Sequence, residues 1–301
     1  MNVNDAAQDG HITIEGFKLN YIIEGHGLPV LVIGSSIYYA RTFSAEIKNQ
    51  FQFIFVDHRG FVPAPAENLT TGSFELTTLI HDIEIIREYF DLKKFIIAGH
   101  SGHAFMALEY AKKYPQYIFG VLMIAVTPDY SENTHKIAEL FFDTEASPER
   151  KERFQKNMAE LPATISADPG NRFISFCLAA GPKSWYDYTF DASPLWKDVY
   201  TNMQMIDYVW GVVFRDIDIT RGLRNLDKPV LLALGKCDFL TGPVNLWFDI
   251  KKHFVDLTIK TFERSAHCPQ YEEAKQFDDE LIQWISQTEA AQKPVQSADK
   301  I

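Results

Sequence analysis

Short apolar segments alternate with amphipathic helical segments over the first half of the chain, and the alternation returns near the C-terminal end. Val30–Ile33 and Phe53–Val56 are apolar at every position, as expected of strands that are buried on both faces of a sheet. Further strands are predicted at 95–98, 120–126, 230–234 and 257–262. Strands that alternate with helices are typical of a parallel sheet covered on both faces. The sequence therefore predicts an α/β fold with a mostly parallel sheet flanked by helices.

A hairpin and several helices complete the predicted core. His11–Ile23 places apolar residues at nearly every second position on both sides of Glu15-Gly16, which predicts two strands joined by a turn. Apolar residues at helical spacing predict the helices of the core. These are Ala104–Tyr114, a helix near Val244–His253, and Ala274–Ser286.

The pattern changes between residues 128 and 213, where charged helical segments precede an aromatic-rich stretch. This change predicts a helical cap, 128–213, inserted into a core domain formed by 1–127 and 214–290. The aromatic side chains of the cap can form the roof of an apolar pocket or pack as the core of the cap itself. Residues 291–301 lack apolar periodicity, which predicts a flexible tail.

The composition limits the classes of partner. The 301 residues carry a formal net charge of −11, so an acidic surface would repel nucleic acids and anionic membranes. No apolar run approaches the ~20 residues of a membrane span, and no signal peptide is visible. The three cysteines are too scattered for a disulfide framework, and no H-E-x-x-H or similar metal-binding cluster is present. We therefore expect a cytoplasmic monomer or homodimer that acts on a small molecule without a metal or other cofactor.

The most informative motif is AGHSGH at 98–103, between a predicted strand and a predicted helix. It resembles G-x-S-x-G, in which the serine occupies a sharp, strained turn with its hydroxyl exposed above the sheet. Here the serine is Ser101, and His103 replaces the final glycine. The backbone N–H of Gly102 lies near the start of the helix, where it can bind an oxyanion. Ser101 is therefore the candidate nucleophile and Gly102 a candidate oxyanion donor.

Two later residues are candidate partners for Ser101. Asp238 follows the predicted strand VLLALG, and His267 follows the predicted strand LTIKTF. The carboxyl ends of parallel strands share one edge of the sheet, where ligands bind. Ser101, Asp238 and His267 can therefore converge as a catalytic triad. In such a triad the histidine takes the serine proton, while the aspartate fixes its tautomer and stabilises the imidazolium.

Several alternatives remain open for these roles. Asp129 also follows a predicted strand and could serve as the acid, and His267 could be an ordinary surface histidine. His58 follows a strand but precedes the serine, and the turn holds His100 away from the hydroxyl. We therefore interpret His58 and His100 as structural residues.

The second oxyanion donor should come from the loop after Val30–Ile33. Gly34-Ser35-Ser36 offers small residues and free N–H groups there. We choose Ser35, with Ser36 as the alternative. A plain polar turn is the other interpretation of this loop.

Taken together, these segments resemble the α/β-hydrolase superfamily, and more narrowly its proline iminopeptidase-like branch. The resemblance covers nearly the whole chain, and VDHRG is similar to the D-x-R-G segment of the family. Gly235 and Asp238 have the family's usual G-x-x-D spacing, which favours Asp238 over Asp129 as the acid. The resemblance implies an α/β-hydrolase fold. The other segments that carry the resemblance are VLVIGS, the run from LIHDIEII through the turn at 98–103 (the elbow) to AKKYP, LLALGKCDFLTGP and FERSAHCPQYEE.

The chain departs from the iminopeptidase pattern at three places. IGSSI stands where H-G-G-P-G is usual, His103 replaces the last glycine of the elbow, and the acidic residues that bind the substrate amine have no clear match. Asp187, Asp191 and Asp198 lie in the predicted cap and could bind an amine or simply face solvent. The sequence therefore predicts a serine hydrolase of a small ester, lactone or amide. The alternatives are an iminopeptidase-type aminopeptidase and a non-catalytic small-molecule binding protein on the same fold.

Overall fold

A computed structural model describes residues 7–65 and 70–292 of the chain. Eight strands form one sheet in the order β1-β2-β4-β3-β5-β6-β7-β8. All pairings from β4 to β8 along the sheet are parallel, and β2 pairs antiparallel with both β1 and β4. The predicted mostly parallel sheet is confirmed. The strands are β1 Gln8–Ile14, β2 Phe17–Glu24, β3 Leu28–Gly34, β4 Phe51–Asp57, β5 Phe95–His100, β6 Ile118–Ile124, β7 Val230–Gly235 and β8 Leu257–Phe262.

The wholly apolar strands are explained by two separate apolar layers. Leu31 and Ile33 of β3 pack with one layer, whereas Val30 and Val32 pack with the other. Because successive side chains of a strand point to opposite faces, a strand covered on both sides has no position left for polar residues. The predicted hairpin is also confirmed: β1 and β2 are joined at Glu15, whose φ is 48°, and Gly16, whose φ is 82°.

Twelve α-helical segments are found in the described residues. They are α1 Ser36–Ala40, α2 Ala45–Lys48, α3 Leu76–Tyr89, α4 His103–Lys113, α5 Glu132–Glu145, α6 Pro148–Ala167, α7 Arg172–Ala179, α8 Gly181–Ser184, α9 Ser193–Trp196, α10 Met203–Tyr208, α11 Pro269–Glu272 and α12 Ala274–Gln292. Helices α4 and α12 correspond to two of the predicted core helices. None of the described helices combines the length and apolarity that crossing a membrane requires.

The helix predicted near Val244–His253 is wrong. The segment forms two short 3-10 turns instead, Val244–Trp247 and Lys251–His253. Trp247 is fully buried and its indole N–H donates a hydrogen bond of 2.9 Å to the carbonyl of Val126. Trp247 therefore fixes this segment to the core, and short turns connect Trp247 to β8.

Helices α5 to α10 lie between β6 and β7, in the interval predicted as a cap. The division into a core of 1–127 and 214–290 and a cap of 128–213 stays a prediction. Of the predicted tail, residues 291 and 292 form the end of α12, and the remaining residues lie outside the described part of the chain. Side chains from α5 to α9 and from the loops after β3, β5, β6, β7 and β8 line one cavity. This cavity therefore lies at the edge of the sheet where the parallel strands end.

Candidate active site

Ser101 occupies the tight turn between β5 and α4. Its φ is 55°, in the left-handed region that residues other than glycine rarely adopt. A Cβ atom at Gly99 would lie 2.2 Å from the carbonyl oxygen of His103, so only glycine fits at that position. The N–H of Ser101 donates to the carbonyl of Ile124 at 2.8 Å, which ties the turn to β6. The turn presents Ser101 to the cavity, as the elbow motif predicts.

His267 and Asp238 lie together at the same edge. His267 Nδ1 is 2.8 Å from Asp238 Oδ2. The carboxylate also accepts hydrogen bonds from the backbone N–H groups of Leu240 and Thr241 and, at 2.6 Å, from the Thr241 hydroxyl. Asp238 is buried, whereas the ring of His267 reaches the cavity that Ser101 borders. The geometry therefore allows His267 to accept a proton while Asp238 stabilises the resulting imidazolium.

Asp129, the alternative acid, has different partners. Its Oδ1 accepts hydrogen bonds from the Ser131 N–H at 2.8 Å and from the Thr134 hydroxyl at 2.7 Å. Burial acts to raise the pKa of Asp129, but these hydrogen bonds outweigh it and lower the pKa. Asp129 therefore organises the start of α5, and its carboxylate is not the partner of His267.

In the loop after β3, the backbone N–H of Ser36 donates a hydrogen bond, whereas that of Ser35 has no partner among the described residues. Ser36 N–H donates to Asp57 Oδ1 at 2.6 Å, and Asn20 donates to Asp57 Oδ2 at 2.9 Å. Burial raises the pKa of Asp57 to about 6, although these hydrogen bonds oppose the rise. Ser35 borders the cavity, and its backbone N–H donates no hydrogen bond to the other described residues. Ser35 is therefore the better placed of the two serines to bind an oxyanion.

Gly102 is the other expected oxyanion donor. It directly precedes α4, so its N–H lies at the positive end of the helix. A Cβ at this position would lie 2.7 Å from the ring of Phe214 and 3.1 Å from that of Trp210. These rings pack against the turn, and glycine is required to let them approach.

The cavity has a volume of about 470 Å³. Most of its lining is aromatic, aliphatic or sulfur-containing. Of the predicted cap aromatics, Trp185, Trp196 and Trp210 line it, so these three form part of the roof. Its other apolar lining residues are Tyr38, Tyr39, Phe61, Tyr130, Phe154, Met158, Phe173, Phe176, Cys177, Ala180, Phe239, Leu240 and Cys268.

The charged groups of the cavity are few and paired. Among the described lining residues Glu139 is the only carboxylate, and both its oxygens lie 2.7 Å from Lys183 Nζ. Asp187 and Asp191 do not line the cavity, and each accepts hydrogen bonds within its own exposed turn. No group of three or more His, Cys, Asp or Glu in the described parts of the chain is arranged to hold a metal ion.

Tyr130 is a neighbour of the candidate nucleophile that sequence reasoning missed. Its phenol borders the cavity and interacts with the Ser101 hydroxyl. Burial raises the pKa of Tyr130 to about 12, although the interaction with Ser101 acts in the opposite direction. The phenol therefore stays protonated near neutral pH. Tyr130 lies two residues before the start of α5, in a loop without a distinctive motif, so the sequence gave no signal for it.

Glu272 holds the loop that carries His267. Its Oε2 accepts hydrogen bonds from the N–H groups of Ala266 and Cys268, on either side of the histidine. Its Oε1 accepts from the N–H of Tyr186, in the segment between β6 and β7. Burial raises the pKa of Glu272 to about 7, against the opposing effect of these hydrogen bonds. The similarity of this segment to the family's sequence was the only signal for this residue.

Three further histidines are buried beside the site. His58, His100 and His103 are each at most 5% exposed, and all three make hydrogen bonds. Burial lowers the pKa of His58 and of His100 to about 3, and it lowers the pKa of His103 well below the usual value. These three rings are therefore neutral near pH 7, as a structural role requires.

Comparison with known proteins places most of the chain in one family. A family model described as the alpha/beta hydrolase fold matches residues 25–274. The AB hydrolase superfamily protein YclE of Bacillus subtilis (strain 168) is 43% identical over 273 residues, which is 91% of this chain and 97% of that protein. A proline iminopeptidase of Neisseria gonorrhoeae is 24% identical over 240 residues, 72% of this chain and 74% of that protein. The resemblance found in the sequence is confirmed.

Solved structures show the same fold. An alpha/beta fold family hydrolase from Bacillus anthracis str. Sterne superposes with a TM-score of 0.68 at 20% sequence identity. The match covers 94% of this chain and 99% of that one. At this identity the likeness concerns the fold alone.

Proposed function

The chain belongs to the α/β-hydrolase family, and from that premise we propose that it is a serine hydrolase that cleaves small apolar esters or lactones through an acyl-enzyme. The proposal depends on one observation: His267 Nδ1 lies 2.8 Å from Asp238 at the rim of the cavity that Ser101 borders. A neutral histidine held by a buried carboxylate is the base that a serine nucleophile requires.

The reaction follows from this arrangement. Ser101 Oγ attacks the substrate carbonyl carbon while its proton passes to Nε2 of His267, and the N–H groups of Gly102 and Ser35 bind the oxyanion. The bond to the leaving alcohol then breaks, and the alkoxide takes the proton from His267. A water molecule gives a proton to His267 and attacks the acyl carbon. Collapse of this second intermediate releases the acid and returns the proton to Ser101.

The cavity supports an apolar substrate. Aromatic and aliphatic side chains form most of its lining, and its volume of about 470 Å³ is within the range for small-molecule sites. Its one lysine, Lys183, is paired with Glu139 and lies 4.7 Å and 4.6 Å from the ring centres of Phe142 and Phe154. A neutral ester carries no charge, so its binding does not require an unpaired charged side chain in the cavity.

An iminopeptidase-type aminopeptidase is the second candidate, because proline iminopeptidases are among the relatives of the chain. Such an enzyme needs a carboxylate for the free amine of its substrate. The cavity offers Glu139, whose carboxylate is already occupied by Lys183. The amine would have to displace Lys183, which favours esters over peptides.

The test uses the purified full chain with a fluorophosphonate and a panel of substrates. We expect stoichiometric labelling at Ser101, none in Ser101→Ala, and faster turnover of p-nitrophenyl esters and lactones than of proline p-nitroanilide. Preference for the anilide, lost in Glu139→Gln, would establish the aminopeptidase instead. Absence of labelling together with tight binding of a small apolar molecule would contradict both and indicate a binding protein.

A further inference from the structure

Four side chains form a continuous buried hydrogen-bonded chain beside the elbow. His58 Nε2 lies 2.8 Å from His103 Nε2, and His103 Nδ1 lies 3.0 Å from the hydroxyl oxygen of Tyr39. The same hydroxyl lies 3.2 Å from His100 Nδ1. His100 Nε2 then lies 2.6 Å from the backbone carbonyl oxygen of His267. The chain therefore runs from the loop after β4 to the backbone of the proposed catalytic base.

The backbone groups at its two ends fix the direction of every proton. The N–H of Gly60 donates to His58 Nδ1 at 2.9 Å, so a neutral His58 carries its proton on Nε2 and donates to His103. His103 then carries its proton on Nδ1, where the Tyr39 hydroxyl oxygen at 3.0 Å and the backbone carbonyl of His100 at 3.2 Å can accept it. Tyr39 donates to His100 Nδ1, which leaves the proton of His100 on Nε2.

The far end gives the same answer independently. The carbonyl of His267 can only accept, so His100 must carry its proton on Nε2. Both ends therefore specify one arrangement with one proton on each ring. An added proton on His58 or His103 would place two donors face to face, and one on His100 would require the Tyr39 hydroxyl to turn away from Nδ1.

This chain determines the position of the His267 backbone. The carbonyl of His267 is held by His100, and its N–H donates to the carbonyl of Ser184 at 2.9 Å. The rings of His100 and His267 also contact edge to face, with centres 4.6 Å apart. If the donor to Nδ1 of His100 is lost, that ring loses one of the two hydrogen bonds that orient it towards the carbonyl of His267.

The chain also explains the unusual residue at the end of the elbow. The positions of the turn that lack space for a side chain are Gly99 and Gly102, where a Cβ atom would lie 2.2 Å and 2.7 Å from neighbouring atoms. Residue 103 has space for a ring, and that ring joins His58 to Tyr39. A glycine at 103 would leave the hydrogen-bonded chain without its middle.

We propose that Tyr39 and His103 are positioning residues for the reaction, acting through His100 on the backbone of His267. This inference rests on the proposed function and extends it. The two side chains neither attack nor protonate the substrate. They hold the His100 ring with its Nε2 proton directed at the carbonyl of His267, and thereby keep the imidazole of His267 aligned between Asp238 and Ser101.

The first test is the protonation pattern of the full chain by ¹⁵N-histidine NMR at pH 7. We expect Nε2 protonation of His58 and His100 and Nδ1 protonation of His103. A charged ring among the three, or Nε2 protonation of His103, would overturn the proposal.

The second test removes single atoms or the ring. Tyr39→Phe should change the ¹⁵N shift of His100 Nδ1, which loses its donor, and speed the solvent exchange of the His267 Nδ1 proton, with kcat for a p-nitrophenyl ester lowered about 10- to 100-fold and KM little changed. His103→Gly should act in the same direction. The matched control is Tyr110→Phe, which also removes a buried hydroxyl. That hydroxyl donates a hydrogen bond of 2.6 Å to Glu84, and Tyr110 does not line the cavity.

The outcomes separate this inference from the proposed function. Equal kcat and equal exchange of the His267 proton in Tyr39→Phe and Tyr110→Phe would reject positioning while leaving the hydrolase intact. If the unaltered chain neither turns over esters nor reacts at Ser101, the hydrolase proposal fails. The exchange rate of the His267 Nδ1 proton in the same two variants then still decides whether Tyr39 positions that residue.

Discussion

Two groups of histidines lie side by side in this molecule and have opposite surroundings. His267 faces the carboxylate of Asp238 and borders the cavity. Among the described residues, the hydrogen-bond partners of His58, His100 and His103 are one another, the Tyr39 hydroxyl, the Cys268 thiol and backbone groups, none of which is a carboxylate. A carboxylate stabilises an imidazolium, whereas neutral partners in a buried site do not. The partner of a histidine, more than its nearness to Ser101, therefore decides whether it can serve as a base.

The largest predicted effect tests this difference directly. Because His267 is the proposed acceptor of the serine proton, His267→Ala should lower kcat for a p-nitrophenyl ester by about 10⁶-fold, the loss measured for the catalytic histidine of subtilisin. His58→Asn should cost no more than about 100-fold, because it disturbs alignment alone. Steady-state kinetics on the two variants make the comparison. Losses of similar size would remove the distinction between the two groups.

A somewhat smaller effect is expected when the carboxylate is neutralised. Asp238→Asn should lower kcat about 10⁴-fold, as the equivalent change does in serine proteases, because the amide favours the wrong histidine tautomer. Asp129→Asn is the matched control and should change kcat less than about threefold, since Asp129 serves the start of α5. The same ester assay measures both. If Asp129→Asn is the damaging change, the acid has been assigned to the wrong residue.

The sequence was sufficient to place the candidate site residues that lie at the ends of strands. Buried strands, a tight turn and two loops past later strands placed Ser101, Asp238 and His267 at one edge, because parallel strands share that edge. Local crowding at Gly99 could also be anticipated, since the elbow requires small residues. These inferences use features that are close in the chain or fixed by sheet topology.

The sequence was insufficient where function depends on side chains that meet across elements. Tyr39 on α1, His58 after β4 and His103 on α4 come together only when three loops are placed. No spacing in the chain reports such a meeting, so His103 was visible only as a departure from a pattern. Ser36 and Asp57 are a similar case, because the 2.6 Å hydrogen bond that occupies the Ser36 N–H joins two loops. The wrong prediction of a helix near Val244–His253 has a similar cause, because the hydrogen bond from Trp247 to Val126 joins residues that are far apart in the chain.

The smallest predicted effect concerns stability and pH. His58 has a pKa of about 3 in the folded protein and a usual value of 6.5, so between these pH values the unfolded chain binds the additional proton. Stability should therefore fall as the pH drops from about 6.5 towards 3, with a slope approaching 1.4 kcal/mol per pH unit for each such histidine. His100 and His103 act in the same direction.

Two buried carboxyl groups oppose this trend. The pKa of Asp57 is raised to about 6 and that of Glu272 to about 7, so the folded protein binds more protons than the unfolded chain between their usual values and these. Their contribution to stability is present at low pH and is lost as the pH rises. The pH dependence of the unaltered protein is therefore a sum of opposite slopes, and it cannot by itself identify the histidines.

A difference measurement isolates one ring. His58 packs against the rings of Phe61, Trp210 and His103, of which only His103 titrates, and Asp57 precedes it in the chain. Urea unfolding of the unaltered protein and of His58→Asn from pH 6.5 to 4.5 cancels the carboxyl contributions that the two share. The stability advantage of the unaltered protein should shrink by about 1.4 kcal/mol per pH unit as the pH falls. An advantage that is constant with pH would mean that His58 titrates alike in the folded and unfolded states, and the contrast with His267 would then have no electrostatic basis.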